Sequence, residues 1–139
     1  MAPVPVPESD RRPVILYVED EAPNRALLRA VVERAGDVMV RSAMLLEAPD
    51  LATARRVLAT EPVDLVLLDV RLPDGNGLDL ARAIRDGGTP RPEVIIMSAS
   101  VLPSERDEAL ATGARHFLSK PYAPTELVSL VSQTLHGAA

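Results

Sequence analysis

The chain has 139 residues, 47% of them hydrophobic, which is the size and composition of one domain with a core of its own. It contains no Cys, which excludes a disulfide framework, a thiolate metal site and a thiol nucleophile. A net charge of −5, a pI near 5.0 and only Tyr17, Phe117 and Tyr122 as aromatics argue against a nucleic-acid surface, which needs a basic stripe and stacking rings.

In chain order, "MAPVPVPESDRRP" is Pro-rich and lacks the apolar centre of a signal peptide. Residues 1–12 read as a disordered or extended tail, since alternating Pro joins neither sheet nor helix. The apolar runs are strand-sized, too short for a membrane span, and a cytoplasmic location is expected. "VILYV" (Val14–Val18) is such a run, ending in Glu19-Asp20. "PNRALLRAVVERAG" predicts a helix with Leu27, Leu28, Val31, Val32 and Ala35 on one stripe and Gly36 as its stop. "DVMVRSAMLLEAPD" is ambiguous, with a strand near Met44–Ala48. Asp50 is placed to cap a helix "LATARRVLAT" that turns Leu51, Ala54 and Leu58 inward.

"VDLVLLD" is a second strongly apolar run and ends in Asp69. "LPDGNG" has turn chemistry, and "LDLARAIRD" then gives a helix stopped by Gly87-Gly88. "EVIIMS" is a further strand ending in Ser98, followed by a short helix "PSERDEALATG" with a thin apolar face. "RHFLSK" is a last strand running into Lys120. The closing helix "PTELVSLVSQTLHG" sets Leu127, Leu130, Val131 and Leu135 on one side, with Pro124 in its first turn.

Five strand–helix units with strands apolar throughout imply an α/β fold: a parallel sheet covered on both faces. Right-handed crossovers favour a doubly wound five-stranded sheet in flavodoxin-like order 2-1-3-4-5, with ligands beyond the carboxyl ends of its strands. Glu19, Asp20, Asp69, Ser98 and Lys120 all fall at that edge. Lys120 is the only Lys among 15 basic residues, and a compact ammonium there differs from the planar fork used everywhere else. Three crowded carboxylates call for a cation, and an all-oxygen ligand set favours Mg²⁺. Asp69 is then a nucleophile toward phosphorus, with Ser98 and Lys120 meeting charge on the phosphoryl oxygens.

With these residues in place, "ILYVEDE", "VDLVLLDVRLPDGNGLDLARAIR", "VIIMSAS" and "GARHFLSKPY" resemble the receiver domain of two-component response regulators. The resemblance covers nearly the whole chain and implies one receiver domain over residues 13–137. It implies a phosphoacceptor in a two-component system or phosphorelay, taking a phosphoryl group from a phosphohistidine; a signalling switch, not an enzyme. Matched position by position, Asp69 is the phosphoacceptor. Glu19, Asp20, Asp69 and the backbone carbonyl of Arg71 hold Mg²⁺. Ser98 and Phe117 form the switch, and Lys120 is the family's lysine, with a cis bond expected at Lys120-Pro121. The implied partners are a histidine kinase or histidine phosphotransfer protein, docking on the first helix at Arg25 and Arg29 and on the loop after Lys120. The implied output face, which would also serve a dimer, is the fourth helix, fifth strand and fifth helix; neither nucleic acid nor a membrane is expected as a direct partner.

The sequence departs from the family in three places. Gly36 to Asp50 is longer than usual, predicting a longer second strand or a protruding loop around Asp37–Leu45. Ala123 stands where the family often has a capping Asp, predicting a looser helix start. The two variable positions beside the site are Arg71 and Ser100. His116 and His136 read as strand or surface positions without partners. A stand-alone module is expected, its output a protein contact; an excised domain of a larger regulator and a degenerate receiver used as a constitutive binding module are the alternatives. A haloacid-dehalogenase-like phosphohydrolase would want Asp-x-Asp, and here the third position is Arg71.

Overall fold

A computed structural model describes residues 12–88, 91–100 and 102–137. The predicted tail therefore lies outside the described residues except for Arg12, whose Nε donates to the Ser42 carbonyl at 2.8 Å. The elements are β1 (Val14–Val18), α1 (Ala22–Glu33), α2 (Val38–Arg41), β2 (Met44–Ala48), α3 (Leu51–Thr60), β3 (Leu65–Asp69), β4 (Arg71–Leu72), β5 (Gly75–Asn76), α4 (Gly77–Asp86), β6 (Glu93–Ser98), α5 (Pro103–Ala111), β7 (His116–Ser119) and α6 (Pro124–Gly137).

The main sheet is parallel, in the order β2-β1-β3-β6-β7. Without the small β4–β5 pair, which forms its own two-stranded sheet, this is the predicted order 2-1-3-4-5. Strand alternation divides the core in two. Ile15, Tyr17, Leu65, Leu67, Ile95 and Met97 pack against α1, α2 and α6. Leu16, Val18, Val66, Leu68, Val94 and Ile96 pack against α3, α4 and α5. Both sheet faces are covered, which is why these strands are apolar at every position.

Two expectations need correction. The stripe predicted for α1 is narrower than five residues: Leu28, Val32 and Ala35 are buried, but Leu27, at the edge of the stripe, is 56% exposed. The long segment after Gly36 is neither a longer strand nor a protruding loop. It contains the one-turn helix α2, started by Asp37, whose Oδ1 accepts from the Val40 N–H at 3.1 Å. Val40 is fully buried among α1 and α6 side chains, so the segment is a wedge in the core. Asp37 Oδ2 accepts from Ser132 Oγ at 2.6 Å and lies 3.6 Å from His136 Nε2, giving His136 a partner that the sequence did not reveal. At the start of α6 the Ala123 carbonyl accepts from the Glu126 and Leu127 N–H groups.

Candidate functional site

The register of the sheet lines up the carboxyl ends of four strands. Val18 lies beside Leu68, Asp69 beside Met97, and Ser98 beside Ser119. Glu19, Asp20, Asp69, Ser98 and Lys120 thus line one open cleft of about 630 Å³, together with Arg71 and Ser100. Every predicted site side chain except Phe117 faces this cleft. Phe117, on β7, is half-buried and packs on the opposite side of the strand from Leu118, against the α3–α5 core.

Lys120 Nζ lies 3.1 Å from both Glu19 Oε1 and Asp69 Oδ2, so one ammonium bridges two of the three carboxylates. Burial works against its charge, but Asp69 and Glu19 outweigh burial and hold its pKa above the ordinary lysine value. Its backbone is fixed too: the Lys120 N–H donates to the Ser98 carbonyl at 2.8 Å, and the Lys120-Pro121 bond is cis, as expected. Ser98 Oγ accepts from the Ser100 N–H at 3.1 Å, which turns the chain directly after β6.

Glu19 is 1% exposed. Burial pushes its carboxyl above the usual range, the neighbouring Asp69 carboxylate adds to this, and Asn24 and Lys120 oppose it. Its two oxygens are unlike. Oε1 accepts from Asn24 Nδ2 at 2.6 Å and from Lys120, whereas Oε2 is buried with no hydrogen-bond partner among the described residues. One ligand oxygen from each of Glu19, Asp20 and Asp69 lies within 4.8 Å of the others. An orphaned buried oxygen within a cluster of oxygen donors fits a hard divalent cation better than it fits a finished hydrogen-bond network.

Sequence reasoning missed Asn24 and Gly77, and it named Arg25 and Arg29 for docking rather than for contacts with Glu19 and Glu47. Asn24 donates to both Glu19 and Glu21 Oε2, the latter at 2.9 Å. Arg25 donates to the Glu19 carbonyl at 2.8 Å and lies 3.6 Å from Glu47. Arg29 forms a forked pair with the same Glu47, at 2.7 Å. The arginines expected to greet a partner are therefore already engaged, and Arg25 supports the acidic pair. Gly77 is required by close approach: a Cβ there would stand 2.0 Å from the Asp69 carbonyl oxygen. Only "NR" after the acidic pair and the second Gly of "DGNG" were available as signals.

Comparison with known proteins gives a consistent result. Residues 15–132 match the model of the response regulator receiver domain. The chain is 34% identical over 122 residues to the phosphate regulon transcriptional regulatory protein PhoB of Pseudomonas aeruginosa, covering 87% of this chain and 51% of that protein. It is 36% identical over 115 residues to the two-component response regulator ORR41 of Oryza sativa, covering 81% and 87% respectively. Among solved structures, a signal receiver domain from Vibrio parahaemolyticus superposes with a TM-score of 0.83 at 26% identity, covering 92% of this chain and 93% of that one. The chain spans about half the length of PhoB and of related transcriptional regulators that it matches. No helix among the described residues is long and apolar enough to cross a membrane.

Proposed function

The chain belongs to the response regulator receiver domain family, and from that premise we propose that it accepts a phosphoryl group on Asp69 from a phosphohistidine, in a Mg²⁺-dependent reaction. The observation that carries this reading is the bridged acidic cluster: Glu19, Asp20 and Asp69 within 4.8 Å, with one buried oxygen left unpartnered. Glu19, Asp20 and Asp69 would hold Mg²⁺, with the Arg71 carbonyl as a further ligand. When bound, the ion would screen charge between the incoming phosphoryl group and the carboxylates.

The chain's own groups do the rest. An Asp69 carboxylate oxygen forms a bond to phosphorus as the phosphorus–nitrogen bond of the donor imidazole breaks, and the electron pair returns to that nitrogen. Lys120 pairs with Asp69 before transfer, and its ammonium then pairs with a phosphoryl oxygen. Ser98, freed from the Ser100 N–H, donates to another. That movement opens space for Phe117 to turn inward, and the face made by α5, β7 and α6 changes shape. Regulation is a shift between two populations. The reaction ends as a modified protein, so the chain is a single-turnover acceptor and not a turnover enzyme. Its donor is a histidine kinase or histidine phosphotransfer protein of the cytoplasm, meeting the exposed side of α1 and the loop after Lys120. The output is a protein contact, with dimerisation through the α5–β7–α6 face as one form of it.

The test is intact-protein mass after incubation with Mg²⁺ and a small-molecule phosphodonor. One added phosphoryl group is expected, absent in Asp69→Asn and with EDTA. A folded, Mg²⁺-saturated protein that gains nothing would make the chain a constitutive binding module. Repeated turnover of a small phosphoester would make it a phosphohydrolase.

A further inference from the structure

The β4–β5 hairpin directly follows Asp69 and carries Arg71. It pairs Arg71 with Asn76 and Leu72 with Gly75, leaving Pro73 and Asp74 at its tip. The tip is not loose. Asp74 Oδ1 accepts from the Leu51 N–H at 2.8 Å and Asp74 Oδ2 from the Ala52 N–H at 3.0 Å. These are the first two residues of α3, a 10-residue helix, whose free N–H groups and positive dipole end suit a carboxylate. The third N–H of that turn, on Thr53, is taken at 2.7 Å by Asp50. Two carboxylates thus divide the start of α3: Asp50 from its own chain, and Asp74 from the hairpin, more than 20 residues away.

The hairpin is pressed home at two further points. At Gly75, φ is +151°, and a Cβ would stand 3.0 Å from Leu51 Cδ1, so the tip lies close against α3. At the base, the Gly77 N–H donates to the Val70 carbonyl at 2.7 Å, and Gly77 itself abuts the Asp69 carbonyl. A segment held at both ends has little freedom between them, and Arg71 lies between them.

We infer that Asp74 is a positioning residue: its two-oxygen latch onto the start of α3 fixes the hairpin that presents the Arg71 carbonyl to the metal beside Asp69. This rests on the metal site proposed above. Asp74 touches neither metal nor phosphoryl group, and acts only through the backbone it anchors.

The test is direct titration of the full chain with Mg²⁺ alone, beside amide hydrogen exchange of Gly77 in EDTA. Asp74→Ala should weaken Mg²⁺ binding by about tenfold, the low end of what losing a group that orients metal ligands costs. It should also speed exchange at Gly77. Asp74→Asn keeps one acceptor oxygen and should fall between it and the wild type. Asp50→Ala is the control for structure: it removes the other carboxylate cap of α3 and should lower the melting temperature comparably, while leaving Mg²⁺ affinity and Gly77 exchange unchanged. Equal losses in Asp74→Ala and Asp50→Ala would reduce Asp74 to a helix cap and overturn the inference. So would an unchanged Mg²⁺ affinity in a folded Asp74→Ala. A wild-type protein that binds no Mg²⁺ would overturn the metal reading and this inference with it, a result seen before any variant is made.

Discussion

At Glu19, the proposed metal binding and stability pull in opposite directions. Its carboxyl is held above the ordinary range chiefly by burial, so the folded chain binds that proton more tightly than the unfolded chain does. Such a group costs no stability below its unfolded pKa; the cost grows as pH rises toward the folded pKa and stays in full above it. Glu19→Gln should therefore raise the melting temperature at neutral pH in EDTA, with the gain fading under acid conditions. The same change should weaken Mg²⁺ binding at least about tenfold, because it removes a charged ligand. A variant that melts lower than wild type at neutral pH would show that burial does not dominate there. Gly77 is a second residue-scale constraint. Gly77→Ala drives a methyl into the Asp69 carbonyl, and backbone cannot step aside as a side chain can. A loss of about 3 kcal/mol is expected in urea unfolding, at the upper end for overpacking, together with slower phosphoryl uptake.

At the scale of elements, α2 turns extra chain length into a wedge between α1 and α6. Its anchor is Asp37, whose carboxyl is held below the ordinary range by the Ser132 hydroxyl first and the Val40 N–H second. A depressed carboxyl contributes stability that is present above its unfolded value, 3.8, and lost as pH falls through the folded pKa. Asp37→Asn should flatten this acid limb of the stability curve. Asp37→Ala should cost about 1 kcal/mol at neutral pH through the lost helix cap. Both follow from denaturant midpoints at two pH values, and an acid limb unchanged in Asp37→Asn would remove Asp37 as its source. The segment was hard to read because "DVMVRSAML" has neither the period of a strand nor that of a helix. A single turn is too short to show one, and its place is set by Val40 finding a gap in the core.

At the scale of the whole molecule, Mg²⁺ held by Glu19, Asp20 and Asp69 would join the ends of β1 and β3 at one edge of a sheet with two cores. A ligand that binds only the folded chain stabilises it by mass action, so Mg²⁺ at 100 times its dissociation constant should add about 2.7 kcal/mol, reversed by EDTA. A melting temperature indifferent to Mg²⁺ would count against the site. The sequence by itself determined the strand order, both layers of helices and the five polar residues at the carboxyl edge. These follow from local patterning, since apolar runs must be buried on both faces and a parallel sheet brings their ends together. Leu27, on the exposed edge of the predicted stripe, shows the limit of that patterning: period assigns a face, but only neighbouring elements decide how wide the covered face is. Tertiary structure alone decided which groups hold the site in shape. Asp74 on α3 and Asp37 on α6 each join distant parts of the fold, and partners brought together by folding leave no spacing in the sequence to find, whereas Asn24 lies only five residues from Glu19.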